Sequence, residues 1–140
     1  MTKTPVLKSK ATKTILAVDD DGEMGLVLDM ILNEKQFQLD YVNSLLAADE
    51  YLEKHNPSII VLDNKLPDGF GVDFISYLRK KYPSIKIIMI SGFASVRDVA
   101  LANGANVFLE KPFSLDEFTD AINLLLKWAH YFVVFVCNNQ

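Results

Sequence analysis

Five short apolar runs alternate with segments of helical periodicity, and this alternation constrains the fold more than any other sequence feature. Residues 59–62 form an uninterrupted apolar run, which is typical of a strand buried on both faces. Strands connected by helices form parallel sheets that are covered on both sides. We therefore predict an α/β fold, a doubly wound five-stranded parallel sheet of (βα)5 composition. The five runs lie at residues 15–18, 37–41, 59–62, 85–90 and 107–109.

Local signals mark where the intervening helices begin and end. Ser44 is placed to cap a helix that carries Leu45, Ala48 and Leu52. Ser114 and Glu117 form a capping box before the last helical segment, and Asn103-Gly104 is a C-cap pair. The predicted helices cover residues 24–32, 45–52, 71–81, 96–103 and 115–128.

The chain of 140 residues is predicted to form one folded domain between two short tails. Residues 1–13 contain four lysines and are expected to be a disordered basic leader. Residues 14–130 form the domain, and residues 131–140 are an apolar C-terminal extension onto which the last helix can continue. Because this extension is uncharged, we hypothesise that it packs on the domain, a second copy or a partner.

Composition excludes several classes of protein. A net charge of −4 and a pI near 5.1 argue against direct nucleic-acid binding. The sequence has no apolar run near the roughly 20 residues of a membrane span. Its only cysteine, Cys137, suits a reducing compartment, so we expect a cytoplasmic protein. His55 and His130 lack the spacing of metal ligands.

Polar side chains stand where the predicted strands end. Asp19 and Asp20 follow the first run, and the third run ends at Asp63. Ser91 follows the fourth run and Lys111 the fifth, whereas the second contributes only Asn43. The carboxyl ends of parallel strands share one edge, where ligands of open α/β sheets bind. We therefore expect three carboxylates, a hydroxyl and a lysine to converge there.

Such a cluster suits phosphoryl transfer with a divalent cation. Crowded carboxylates repel one another unless a cation neutralises them, and Mg²⁺ prefers carboxylate and phosphoryl oxygens. A carboxylate can attack phosphorus to form an acyl phosphate. The lysine and serine could then contact the phosphoryl oxygens.

Four motifs, ILAVDDD, VLDNKLPDG, MISG and FLEKPF, occur in an order and spacing that resemble the receiver domain of two-component response regulators. The resemblance covers roughly residues 13–128. It implies a flavodoxin-like sheet of strand order 2-1-3-4-5. It also implies phosphorylation by a sensor histidine kinase or a histidine phosphotransfer protein.

The same resemblance implies roles for individual residues around the cation. Asp63 would be the phosphoacceptor and a Mg²⁺ ligand, and Asp20 a direct ligand. Asp19 would act through water, and Lys65 would contribute its backbone carbonyl. The side-chain ammonium of Lys65 would alter how quickly water reaches the phosphoryl group.

Other residues would respond to phosphorylation. Ser91, in place of the common threonine, would be the switch hydroxyl, and Lys111 would pair with the phosphate. Phe108 would be the switch aromatic and, lacking the hydroxyl of the common tyrosine, would work by packing. The Lys111-Pro112 bond is expected to be cis. Phe93 places an apolar group near the site that can restrict water or partners.

Structural explanations compete with these roles for some residues. Asp21 is expected to be a solvated loop or helix-start carboxylate. Asp68 and Gly69 form a turn pair with a structural role.

Three functions remain open. In the first, the domain is a phosphorylated switch that signals through the face of its fourth helix, fifth strand and fifth helix, and turns over no separate substrate. Its partners would be the phosphodonor and a downstream protein or a missing output domain, with a homodimer as a candidate assembly. In the second, Asp19-x-Asp21-Gly belongs to a haloacid-dehalogenase-like phosphatase with Asp19 as nucleophile, although the chain lacks that family's cap insertion. In the third, the domain is an unphosphorylated interaction module.

Overall fold

Five parallel strands form a single sheet in the computed structural model, which describes residues 13–32 and 37–138. The order across the sheet is β2-β1-β3-β4-β5, and every neighbouring pair is parallel. The predicted fold class and strand order are therefore confirmed. The strands are β1 (Lys13–Val18), β2 (Phe37–Val42), β3 (Ile59–Asp63), β4 (Lys86–Ser91) and β5 (Val107–Glu110).

Helices connect successive strands and cover both faces of the sheet. A short 3₁₀ turn, Ala94–Val96, precedes the fourth helix. Between β3 and the third helix, Lys65–Leu66 pairs antiparallel with Gly69–Phe70, and we call this hairpin the β3–α3 ribbon. The helices are α1 (Glu23–Leu32), α2 (Leu45–Lys54), α3 (Gly71–Lys81), α4 (Arg97–Asn103) and α5 (Leu115–Asn138).

The central strand explains why its sequence is apolar without alternation. Ile59 and Val61 pack in a core cluster with residues of α1 and α5, such as Leu28 and Phe118. Alternate residues of β3 face the other way, into a second cluster that α2, α3 and α4 complete. Both faces of β3 are therefore buried, and each large side chain contributes about 1.5–3 kcal/mol on burial.

The predicted helix ends are confirmed by their hydrogen bonds. The Ser44 hydroxyl accepts a hydrogen bond from the Ala47 N–H at 3.0 Å at the start of α2. Ser114 and Glu117 bond reciprocally, at 2.8 and 3.0 Å, before α5. Gly104 ends α4 with a φ of +121°, a conformation that favours glycine.

Most of the predicted C-terminal extension lies within the last helix, α5. Residues 1–12 of the predicted leader lie outside the described residues, whereas Lys13 is paired with Phe37 at the start of β1 rather than being part of a leader. The last helix runs past Trp128, as anticipated, and ends at Asn138. Among the helices described, none is long and apolar enough to cross a membrane.

Candidate functional site

The carboxyl edge of the sheet holds a cavity of about 360 Å³ that collects the polar residues of four strand ends. Asp20 follows β1, Asp63 ends β3, Ser91 ends β4 and Lys111 follows β5. Of the five side chains expected to converge, Asp20, Asp63, Ser91 and Lys111 line this cavity, whereas Asp19 lines a neighbouring one. The cavity is lined by Asp20, Asp21, Asp63, Asn64, Lys65, Ser91, Gly92, Phe93 and Lys111.

Asp63 lies at the base of this cavity with only 7% of its surface exposed. Its Oδ1 lies 3.2 Å from the Lys111 Nζ and accepts a hydrogen bond from the Asn64 N–H at 2.9 Å. The start of α3 packs directly against its backbone, since a Cβ at Gly71 would lie 2.4 Å from the Asp63 carbonyl oxygen. Only glycine allows this close approach.

Asn64 joins Asp63 to helix α3, a role that was not predicted. Its backbone carbonyl accepts a hydrogen bond from the Gly71 N–H at 2.7 Å, and its Oδ1 accepts one from the Val72 N–H at 3.0 Å. Asn64 is thus the cap of α3, although six residues separate it from the helix. The only sequence signal is a polar residue directly after an apolar strand, and this signal does not identify α3 as the helix that Asn64 caps.

Asp19 has a different environment from the aspartates beside it. It is 2% exposed, and its Oδ2 accepts a hydrogen bond from the Met24 N–H at 2.8 Å at the start of α1. Burial raises the pKa of the Asp19 carboxyl, and the charges of Asp21 and Asp63 raise this pKa further, against the opposing Met24 hydrogen bond. Negative charge is therefore in excess at this edge.

The second strand contributes more to this edge than Asn43. Tyr41 donates a hydrogen bond from its hydroxyl to the Asp19 backbone carbonyl at 2.8 Å. Burial raises the pKa of Tyr41, and the nearby Asp19 charge adds to this effect. The expectation that β2 supplies only Asn43 is therefore wrong, because Tyr41 lies within the strand and the sequence does not show that its hydroxyl reaches the loop after β1.

Ser91 and Lys65 are both tied to Phe93. The Ser91 side chain is 1% exposed, and its hydroxyl accepts a hydrogen bond from the Phe93 N–H at 3.0 Å. The Lys65 Nζ lies 5.9 Å from the centre of the Phe93 ring, which is 55% exposed. Both residues of this cation–π contact line the cavity.

Strand β5 and the segment after it contain the remaining predicted residues. The Lys111-Pro112 peptide bond is cis, which is the isomer expected from the resemblance. Phe108 is half-buried and packs against the core cluster of α2, α3 and α4. Phe108 does not line the cavity that holds Asp20 and Asp63, which we call the acidic cavity. It lines a separate cavity of about 360 Å³, beside Ala94, Arg97 and Glu110.

The donors in the acidic cavity fit a hard divalent cation. Carboxylates and backbone carbonyls are the oxygen ligands that Mg²⁺ takes, together with water. Among residues 13–32 and 37–138, no three His, Cys, Asp or Glu side chains form a metal site by themselves. An ion held here thus requires a backbone carbonyl and water beside the Asp20 and Asp63 carboxylates.

Comparison with known proteins agrees with this geometry. The family model for the response regulator receiver domain matches residues 15–123. The photosynthetic apparatus regulatory protein RegA of Rhodobacter capsulatus is 26% identical over 112 residues, 79% of this chain and 61% of that protein. The transcriptional regulatory protein KdpE of Staphylococcus aureus is 35% identical over 123 residues, 82% of this chain and 50% of that protein. The chain therefore spans 50–61% of the length of these relatives.

Solved structures of isolated domains match over most of their length. The beryllofluoride-activated NtrC4 receiver domain dimer is 33% identical, with a TM-score of 0.75 over 80% of this chain and 94% of that chain. A CheY-like receiver domain from Methanospirillum hungatei is 25% identical, with a TM-score of 0.74 over 80% of this chain and 91% of that chain. Motifs, strand order and family match agree, and the chain belongs to the receiver domain family of two-component response regulators.

Proposed function

We propose that this receiver domain is a switch that is phosphorylated on Asp63. The observation that carries the proposal is the Asp63–Lys111 ion pair, 3.2 Å between Oδ1 and Nζ, in a cavity that Asp20 also lines. This arrangement supplies a carboxylate nucleophile, a cation for the incoming phosphoryl oxygens and a second acid for a metal ion. Positioning and charge neutralisation are the main requirements of phosphoryl transfer.

The phosphodonor would be a phosphohistidine on a sensor kinase or a phosphotransfer protein. An Asp63 carboxylate oxygen attacks phosphorus, the new O–P bond forms, and the N–P bond of the donor breaks. The departing imidazole nitrogen keeps the electron pair of that bond, and Asp63 becomes an acyl phosphate. The Lys111 ammonium neutralises charge on the transferred oxygens, and the Ser91 hydroxyl donates a hydrogen bond to one of them.

Mg²⁺ would be held by the carboxylates of Asp20 and Asp63 and the backbone carbonyl of Lys65, with Asp19 acting through water. Bound there, the ion neutralises the repulsion between a phosphate and the acidic residues. The buried Asp19 carboxylate supports an indirect role, because backbone N–H groups already occupy its oxygens. The same two hydrogen bonds weigh against Asp19 as a phosphatase nucleophile, because they occupy both of its carboxylate oxygens.

Output would pass through the face of α4, β5 and α5. Ser91 at the end of β4 and Lys111 after β5 would contact the new phosphate, and Phe108 would respond from within β5. A shift of these side chains would bias an existing equilibrium between two arrangements of this face. Because NtrC4 forms a receiver dimer when activated, a homodimer is one assembly that this face could stabilise. Because the matched relatives are longer than a receiver domain, output would come from a further module or from a separate partner protein.

The test is phosphorylation by acetyl phosphate with Mg²⁺, followed by intact mass. We expect one phosphoryl group on the native chain and none on Asp63→Asn. Asp116→Asn, at an exposed acid in the first turn of α5, is the matched control and should label normally. Labelling that persists in Asp63→Asn would show that Asp63 is not the phosphoacceptor. A native chain that never labels, with acetyl phosphate or with a phosphohistidine donor, would favour the interaction module.

A further inference from the structure

Tyr41 reaches from the edge strand β2 to the acidic loop between β1 and α1. Its hydroxyl donates to the Asp19 carbonyl oxygen at 2.8 Å, although the two residues are 22 positions apart. That oxygen belongs to the peptide unit joining Asp19 to Asp20. The hydrogen bond therefore restrains the plane from which the Asp20 side chain projects.

Two glycines lie directly beside the Tyr41 side chain. A Cβ at Gly25 would lie 3.3 Å from Cε1 of the ring, which is closer than most Cβ contacts. A Cβ at Gly22 would lie 3.5 Å from the hydroxyl, and Gly22 has a φ of +80°. Tyr41, which is 41% exposed, thus lies against the loop and the first turn of α1.

The Tyr41 bond completes the fixation of Asp19. The Asp19 N–H donates to the Val42 carbonyl at 3.1 Å, and its carboxylate accepts from the N–H groups of Asp21 and Met24. The carbonyl is the remaining polar group, and Tyr41 is its partner.

We propose that Tyr41 is a positioning residue for the metal site, holding the Asp19-Asp20 peptide so that the Asp20 carboxylate faces Asp63. The inference rests on the proposed function, in which Asp20 and Asp63 share Mg²⁺. Residues that orient ligands without touching the ion typically change metal affinity by 10–100-fold when substituted. Because Tyr41 acts on the backbone beside a ligand, we expect an effect of about tenfold, at the lower end of that range.

The decisive substitution is Tyr41→Phe, which keeps the ring on Gly25 and removes only the hydroxyl. The dissociation constant for Mg²⁺, measured by titration calorimetry, should rise about tenfold. The phosphorylation rate at saturating Mg²⁺ should stay within about twofold, because the nucleophile and Lys111 are untouched. A general loss of folding stability would not produce this division between affinity and maximal rate.

Tyr51→Phe is the matched control. Tyr51 donates its hydroxyl to the Asp40 Oδ2 at 2.5 Å, between α2 and β2 and outside the residues that line the acidic cavity. Its removal costs a stronger hydrogen bond, because the acceptor is a carboxylate, but should leave the Mg²⁺ dissociation constant unchanged. Equal weakening in both variants, or native affinity in Tyr41→Phe, would overturn the proposal.

A second measurement uses the metal-free protein. The Met24 N–H is bonded to the Asp19 carboxylate, so its amide hydrogen exchange reports the order of the loop. Exchange at Met24 should be about three- to tenfold faster in Tyr41→Phe than in the native chain, in line with the loss of one hydrogen bond. Unchanged exchange would contradict the proposal even if Mg²⁺ binds. If the native chain binds no Mg²⁺, the proposed function fails, while this exchange result still decides the role of Tyr41 in ordering the loop.

Discussion

Three consecutive aspartates show how strongly environment separates identical residues. Asp19 is buried and caps the start of α1, whereas Asp20 and Asp21 are exposed and line the acidic cavity. The resemblance distinguishes their expected roles, but composition and periodicity do not. The difference follows from the path of the chain as it leaves β1, which turns the Asp19 carboxylate towards the helix and places Asp20 at the cavity that Asp63 also lines.

The Lys65–Phe93 contact leads to a prediction about phosphate lifetime. Phe93→Ala should shorten the half-life of the acyl phosphate about two- to fivefold, because an exposed cation–π contact is worth about 0.5–1 kcal/mol and its loss admits water. The decay of the phosphorylated mass after removal of the donor measures this. Leu26→Ala, at an exposed residue of α1 outside the cavity lining, should leave the half-life unchanged. If the acyl phosphate of Phe93→Ala lasted as long as that of the native chain, the Lys65–Phe93 contact would not shield the site from water.

At the scale of elements, the β3–α3 ribbon connects the site to two helices. Asp68 was expected to be a structural turn residue, and its position in the turn of the ribbon agrees with this. It also accepts hydrogen bonds from the N–H groups of Leu45 and Leu46, each at 2.9 Å, at the start of α2. Asn64 caps α3 from the same loop. The segment carrying Lys65 is therefore held at both of its ends.

Asp68 makes a predictable contribution to the pH dependence of stability. The N–H groups of Leu45 and Leu46 lower the pKa of Asp68 below its ordinary value of 3.8. A carboxyl whose pKa is lower in the folded state stabilises the protein above the unfolded pKa, and this contribution is lost as the pH falls through the folded pKa. Asp68→Asn should thus lower the urea midpoint at neutral pH, and the difference from the native chain should shrink below pH 3.8.

A carboxylate within helix α2 provides the comparison for Asp68. Glu50→Gln changes an exposed acid of the same helix and should shift the urea midpoint much less. If the difference between Asp68→Asn and the native chain were the same at all pH values, the carboxylate cap would not be the cause.

At the scale of the whole molecule, the proposed metal site predicts that Mg²⁺ stabilises the folded state. Mg²⁺ that binds only the folded state should raise the free energy of unfolding by about 2.7 kcal/mol at a hundred times its dissociation constant. Removal of the ion with EDTA should reverse the gain, and Asp20→Asn should abolish it. Thermal unfolding with and without Mg²⁺ measures both effects. Asp116→Asn should respond to Mg²⁺ as the native chain does, and a full response in Asp20→Asn would exclude Asp20 as a ligand.

The length of α5 has a consequence for assembly. The helix continues to Asn138, and residues 131–137 read YFVVFVC, with no charged residue. A helix that is apolar all round is normally buried. Deletion of residues 131–140 should change the assembly state or expose apolar surface, measured by light scattering and dye binding. An unaltered, well-behaved monomer would count against a buried extension.

The sequence by itself determined the order of elements, the parallel sheet and the edge at which the site lies. Apolar periodicity and capping signals depend on residues close together in the chain, so β3, α3 and the Ser114–Glu117 box could be predicted locally. Only the tertiary structure decided that Asn64 caps α3, Asp68 caps α2 and Tyr41 holds the Asp19 carbonyl. Each of these hydrogen bonds joins residues from different elements, and its partner is set by how those elements pack rather than by any local pattern.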